Sequence, residues 1–240
     1  MTSNYTPLHH IWSSEELLSK IDKRQILLSS ADLAKYYNHL FNQLQAESDS
    51  SNLYKELLLN HSISNDLRKF LDVWYPEELN HAEGFYKMLN IFFEEKVQDV
   101  KRRIESNHKE SDFKRLQTFI NDEFKLCVLF AYDEYATLMD YKKMSFYKLV
   151  GPPELVEWVT KVMKDEARHF VNLVKLIHHN YQNRTHETAD VLNQILDIER
   201  SLKDYHFTFL LDHPHRDFLV SYKELENVCA KRVLKSIINH

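Results

Sequence analysis

Glycine scarcity constrains this chain more than any other feature, because only Gly84 and Gly151 occur among its 240 residues. Dinucleotide-binding loops, phosphate-binding loops and nucleophile elbows each need several glycines in special backbone conformations. Tight β-hairpins also depend on glycine, and five prolines add little further punctuation. The sequence therefore predicts an all-α protein and excludes enzymes built on those glycine-rich loops.

Composition narrows the class further. With 43% hydrophobic residues, the chain can bury a sizeable core, and we expect residues 1–240 to form a single domain. A formal charge of −5 without a basic block disfavours nucleic acid as a partner. Two cysteines are too few for a disulfide framework or a zinc ribbon. No segment predicts a signal peptide or a membrane span, so we expect a soluble cytoplasmic protein without a membrane partner.

Hydrophobic periodicity and helix-stop signals divide the chain into helices. Ser13 and Ser14 are candidate caps of the first, and Gly151, Pro152 and Pro153 separate two of the long ones. The predicted helices cover 13–28, 31–47, 66–106, 111–149, 154–181, 185–203 and 218–238. Residues 204–217 read as an irregular connector, in which His213 and His215 are expected at the surface.

The apolar faces of four predicted helices are each interrupted by an acid. One face, at spacings of four and three, consists of Leu67, Leu71, Trp74, Glu78, His81, Phe85, Met88 and Phe92. Glu134 lies on a comparable face between Ala131 and Leu138, and Glu166 lies between Met163 and Phe170 with His169 one turn later. On an earlier helix, the same rule leads from Leu40 and Leu44 to Glu47. Four core-facing stripes therefore each contain a carboxylate.

Burying one carboxylate without a partner costs several kcal/mol, and neighbouring like charges raise that cost. Two divalent metal ions would neutralise four acids, and an imidazole at i+3 from a carboxylate faces the same ion. The pattern is Glu-x-x-His on two helices and a single Glu on two others, the ligand set of dinuclear carboxylate bundles. The candidate metal ligands are Glu47, Glu78, His81, Glu134, Glu166 and His169.

Chance must be considered, since this composition yields about one Glu-x-x-His by accident. A third copy, Glu105 and His108, lies among charged residues without an apolar stripe, and we assign it to a solvated helix end. The other two copies differ because they share a face with large apolar side chains.

Three segments carry a family resemblance. VWYPEELNHAEGFYKML and KDEARHFVNLVKLI resemble the metal-binding helices of soluble acyl carrier protein desaturases, and FAYDEYATLM is similar to the helix with their intervening glutamate. Similar sequence motifs occur in arylamine N-oxygenases, bacterial multicomponent monooxygenases and the ribonucleotide reductase small subunit. The resemblance covers about residues 65–180. It implies a ferritin-like four-helix bundle with its core at about 30–182 and accessory helices at 13–28 and 185–240.

The resemblance also implies roles for individual residues. The iron ligands would include Glu78, His81, Glu134, Glu166 and His169. For the first helix, Glu47 is the favoured ligand, with Asp32 as the alternative if that helix turned at the SDSS segment. Because metal-bound histidines donate their other N–H to an acid, we expect Asp165 to reach His81 and Glu77 to reach His169.

The function implied is a non-haem di-iron oxidase or oxygenase that uses O2 for desaturation, hydroxylation or N-oxygenation. That expectation includes two Fe ions, with Mn as the alternative, and an external electron donor. It also includes a small or carrier-bound substrate and a homodimer. Val162 stands where arylamine N-oxygenases have a third histidine, and Phe85 stands where reductase small subunits have their radical tyrosine, which disfavours both subfamilies. The alternatives are an iron-handling ferritin relative and a helical interaction protein whose buried acids pair with Arg or Lys.

Overall fold

Four long helices dominate the architecture. The computed structural model describes residues 5–107, 113–201, 209–211, 213 and 219–239. The long helices are α3 (Tyr37–Asn60), α4 (Asn65–Phe93), α7 (Glu123–Lys143) and α9 (Pro153–Tyr181), and no strand occurs in these described ranges. α3 packs along α4, α7 packs along α9, and α4 also contacts α9. The predicted all-α class is confirmed.

Shorter helices surround this set. They are α1 (Ser14–Leu18), α2 (Ser30–Ala34), α5 (Val97–Asn107), α6 (Gln117–Ile120), α8 (Phe146–Leu149), α10 (Thr188–Ser201), α11 (Tyr222–Glu224) and α12 (Lys231–Ile238). A π-helical segment, Leu225–Ala230, joins the last two. α1 packs on α4 and α9, whereas α10 and α12 pack on the side of α7. None of the described helices combines the length and the apolar composition that a membrane crossing requires.

Local sequence signals explain where the long helices begin. The hydroxyl of Ser64 accepts a hydrogen bond from the backbone N–H of Leu67 at the start of α4. Asp122 caps α7 in the same way, accepting from the N–H groups of Phe124 and Lys125. Pro153 occupies the first position of α9, where a missing N–H costs nothing.

Three predicted helices are interrupted, which corrects the sequence analysis. The predicted helix 66–106 ends at Phe93, because Glu94 adopts a left-handed conformation with φ of 57° and the Asn90 side chain donates to the Glu95 carbonyl. The predicted helix 111–149 splits at the Asp122 cap and again after Lys143. The predicted helix 13–28 ends at Leu18 and continues only as a single 3₁₀ turn at 23–25.

The polar SDSS segment lies inside α3 and does not end it, which is the case in which Glu47 was favoured over Asp32. The predicted helix 31–47 is broken at Lys35 and Tyr36, and α3 continues past residue 47 to Asn60. Asp49 and Ser50 are buried there. Asp49 accepts a hydrogen bond from the distant backbone N–H of Phe209, and the Ser50 hydroxyl donates to the Glu47 carbonyl. One tertiary contact and one bond within the helix therefore satisfy these buried polar groups.

A layer of polar side chains divides the apolar core into two clusters. On α4, Trp74 belongs to one cluster and Phe85 to the other. On α9 the order is reversed, with Val162 in the second cluster and Phe170 in the first. α4 and α9 therefore run in opposite directions, and Glu78 and Glu166 lie at the same level between the clusters.

Candidate metal centre

Six acidic and imidazole side chains from four helices meet in this polar layer. α3 contributes Glu47, α4 contributes Glu78 and His81, α7 contributes Glu134, and α9 contributes Glu166 and His169. All six are at most 3% exposed. In both Glu-x-x-His pairs the i+3 spacing places carboxylate and imidazole on the same helix face, toward the centre of the bundle. The structure thus brings together every residue that the sequence marked as a candidate ligand.

The first group of ligand atoms surrounds Nδ1 of His81. This nitrogen lies 3.2 Å from Glu78 Oε2, 3.4 Å from Glu166 Oε1 and 3.7 Å from Glu47 Oε2. Each of the four residues offers one atom, and these atoms all lie within 4.8 Å of one another. Three carboxylate oxygens and one imidazole nitrogen at this spacing could hold a metal ion.

The second group surrounds Nδ1 of His169. This nitrogen lies 3.0 Å from Glu78 Oε1, 3.1 Å from Glu134 Oε2 and 3.5 Å from Glu166 Oε2. Glu78 and Glu166 therefore belong to both groups, and each directs one oxygen toward each imidazole. Glu47 and Glu134 each belong to a single group. The arrangement consists of two adjacent sites with two shared carboxylates.

The far nitrogen of each imidazole meets a second carboxylate. His81 Nε2 lies 3.2 Å from Asp165 Oδ2, and His169 Nε2 lies 2.7 Å from Glu77 Oε2. These are the pairings expected from the sequence. With Nε2 donating to an acid, Nδ1 carries the lone pair that a metal needs. Arg168 also forms an ion pair with Asp165.

An N-terminal strap, residues 5–14, covers the imidazole side of the site and was not anticipated from the sequence. Its His10 backbone N–H donates to Glu77 Oε1 at 3.0 Å, and its Trp12 indole N–H donates to Asp165 Oδ2 at 2.6 Å. The strap therefore contacts both carboxylates that orient the imidazoles.

Two buried or half-buried amides of the bundle fix the strap. The side chain of Asn172 on α9 accepts from the Leu8 N–H and donates to the Leu8 carbonyl, at 2.8 and 2.7 Å. Asn80 on α4 accepts from the N–H of Ser14 at 2.7 Å. Asn172 is fully buried. The available sequence signal was that Asn172 follows His169 by three residues and so shares a helix face with a candidate ligand.

Charge within the site shifts several pKa values. Burial by itself lowers the pKa of both imidazoles, but nearby carboxylates, chiefly Glu78 for His81 and Glu134 for His169, outweigh it and raise both pKa values well above normal. Burial, followed by the charge of Glu78, raises the pKa of Glu166 well above that of an ordinary glutamate. These shifts favour the protonated forms of both imidazoles and of Glu166.

The donor set fits a pair of divalent cations. Glu47 Oε2, Glu78 Oε1 and Glu166 Oε1 are buried and accept no hydrogen bond. Throughout the described part of the chain, no Lys or Arg forms an ion pair with Glu47, Glu78, Glu134 or Glu166. The interpretation of these acids as partners of Arg or Lys therefore has no support here. Oxygen-rich ligand sets completed by imidazole suit iron and manganese.

A small cavity adjoins only one of the two groups. It is lined by Glu47, Glu78 and Glu166 together with Gln43, Ala46, Asp133, Thr137 and Phe209. Its volume of about 10 Å³ holds roughly one water molecule. Glu134 does not line it, so the ligand group around His81 is the more accessible one.

Other candidates lie away from the centre. Asp32, the alternative to Glu47, is exposed and bonded to Ser29 and Lys35. Glu105 is exposed on α5, and its motif partner His108 is outside the described residues. His213, predicted at the surface, is buried, where it contacts Glu199 and lies 3.7 Å from Asp133. His215 is outside the described residues.

The chain matches no protein-family model, no curated protein and no solved structure. Assignment of a function therefore rests on the geometry of the site.

Proposed function

We propose that this chain is a ferritin-like, non-haem di-iron protein that uses O2 to oxidise an organic substrate. One observation carries the proposal: six buried donors form two adjacent ligand groups that share two carboxylates. Like charges at this density in an apolar core call for cations, and no Lys or Arg among the described residues pairs with these acids. Manganese is the alternative ion, because supply decides the metal as much as ligand type does.

In this proposal Glu47 and His81 would hold one ion, Glu134 and His169 would hold the other, and Glu78 and Glu166 would contribute to both. When bound, the iron pair supplies the redox chemistry that couples O2 reduction, with electrons from an external donor, to oxidation of a C–H bond or an amine.

The residues around the ions have separate tasks. Asp165 and Glu77 orient the imidazoles, and the N-terminal strap seals that side of the site from water. The cavity beside Glu47 supplies space for a molecule of the size of O2, whereas an organic substrate is larger than this cavity. A small or carrier-bound substrate, an electron donor and a homodimer remain predictions.

The direct test is metal content followed by O2 consumption. Protein purified without metal and reconstituted anaerobically with Fe(II) should retain about two iron ions per chain and consume O2 on exposure to air. Glu134→Ala should lose tightly bound iron and O2 consumption while its circular dichroism spectrum stays helical. Glu105→Ala is the matched control, because it removes the acid of the exposed Glu-x-x-His copy and should behave as wild type.

The outcomes separate the alternatives. Less than about one transition-metal ion per chain after reconstitution would refute the proposal. Cage-sized particles that accumulate many iron ions per chain would favour the iron-handling alternative. O2 consumption that persists in Glu134→Ala at the wild-type rate would show that the chemistry occurs elsewhere.

A further inference from the structure

Glu47 and Glu134, which each belong to a single ligand group, share a feature. One oxygen of each accepts a hydrogen bond from a buried aromatic side chain. The Tyr141 hydroxyl donates to Glu47 Oε1 at 2.9 Å, and the Trp74 indole N–H donates to Glu134 Oε1 at 2.8 Å. In both cases Oε2 is the oxygen that faces the imidazole, of His81 at 3.7 Å and of His169 at 3.1 Å.

The shared carboxylates are different. Glu78 and Glu166 direct both oxygens toward the imidazoles, at distances between 3.0 and 3.5 Å. Neither receives a hydrogen bond from an aromatic donor among the described residues. Aromatic donors therefore coincide with the carboxylates that face one ion, and are missing from those that face two.

Packing keeps both donors in place. The Trp74 ring is fully buried and is held edge-on by Phe130 and Phe209, with ring centroids 5.3 and 4.9 Å away. Tyr141 is 3% exposed and lies on α7 two turns after Glu134, with the Tyr147 ring 6.4 Å away. A buried N–H or O–H without an acceptor is costly, so neither donor readily releases its carboxylate oxygen.

We propose that Tyr141 and Trp74 are positioning residues that restrict Glu47 and Glu134 to one metal-binding oxygen each. This inference rests on the proposed metal centre. A fixed donor holds one carboxylate oxygen in its own direction and so favours metal binding through the other oxygen alone. Each ion thus keeps a coordination position for an exogenous ligand, and the position beside Glu47 opens onto the cavity.

Co(II) is a suitable probe, because its visible absorption is weaker in six-coordinate than in four- or five-coordinate sites. Metal-free protein is titrated with Co(II) and then with azide, a small anion that occupies open coordination positions. In Tyr141→Phe the ring remains and the donor is lost, so Glu47 should chelate through both oxygens. The visible absorption should weaken and the azide affinity should fall about tenfold or more, the usual scale for loss of an outer hydrogen bond at a metal site.

Tyr147→Phe is the matched control. Tyr147 is fully buried beside Tyr141, but its hydroxyl has no hydrogen-bond partner in the described part of the chain. Its removal should leave the absorption and the azide affinity unchanged. Trp74→Phe tests the same inference at Glu134. If circular dichroism shows that Tyr141→Phe does not fold, the result for Trp74→Phe tests the positioning role by itself.

The result also distinguishes this inference from the proposed function. If wild type binds two Co(II) ions and azide, and Tyr141→Phe and Trp74→Phe match it in both readouts, the positioning role is overturned while the metal centre stands. If wild type binds no Co(II), the metal centre itself fails, and the positioning role fails with it.

Discussion

Gly84 offers the sharpest test of how closely α4 and α9 approach beside the candidate metal centre. A Cβ atom added at this position would lie 2.3 Å from Nε1 and 2.5 Å from Cε2 of Trp158 on α9. Ordinary contacts begin near 3.4 Å, so the indole must move by about 1 Å. Gly84→Ala is therefore a one-carbon probe of the helix contact.

The expected cost follows from three contributions. Overpacking a dense core costs about 1–3 kcal/mol. Displacing Trp158 would break the 2.8 Å hydrogen bond that its indole N–H donates to the Ser14 hydroxyl. Leaving this buried N–H unsatisfied costs a further ~1–3 kcal/mol. Alanine in a helix interior returns only about 0.5–1 kcal/mol relative to glycine. The net destabilisation should be about 3 kcal/mol, or a fall in Tm of roughly 6–12 °C.

The assay is urea and thermal unfolding of metal-free protein in a double-mutant cycle. In a Trp158→Leu background the clash is gone, so Gly84→Ala should become neutral or stabilising by up to about 1 kcal/mol. The same free-energy change in both backgrounds would refute the close contact. A stabilising effect in the wild-type background would refute it more strongly.

Three further predictions follow from the same structure. Burial raises the pKa of Asp140 to about 6, above its unfolded value near 3.8, so the folded protein loses stability as the pH rises between these values. Asp140→Asn should therefore recover up to ~3 kcal/mol at pH 7.5 but little at pH 4. The same difference in urea midpoint between variant and wild type at both pH values would contradict this. Trp12→Phe removes the indole donor to Asp165 and should weaken Fe(II) affinity roughly tenfold in a chelator competition; unchanged affinity would show that the strap is dispensable. The raised pKa values of both imidazoles and of Glu166 favour protonation of these groups without metal, so loading two ions should release protons. Calorimetry in buffers of different ionisation enthalpy measures this release, and its absence would contradict the direction of those shifts.

The candidate ligands were accessible from the sequence because their signal is local. Glu78 and His81 are one turn apart, and both interrupt a stripe of large apolar side chains whose period is that of a helix. Glu166 and His169 repeat the same signal. Trp74 was visible as a member of such a stripe, but its N–H bond to a carboxylate of another helix was not.

The breaks in the predicted helices were not accessible in the same way. The left-handed residue Glu94 follows two phenylalanines and carries no glycine or proline signal. The burial of His213 depends on Glu199 and Asp133, which belong to two other helices. Such features depend on partners far away in the chain, and residue spacing does not encode them.

By itself, the sequence determined the helical class and which helix faces carry acids and imidazoles, because side-chain direction repeats every 3.6 residues along each helix. Tertiary structure alone decided that Glu47 and not Asp32 reaches the centre, that two carboxylates are shared, and that residues 5–14 close the imidazole side. These results arise from hydrogen bonds and contacts that connect residues dozens of positions apart, such as Trp12 with Asp165. Only the packed chain brings such groups within bonding distance.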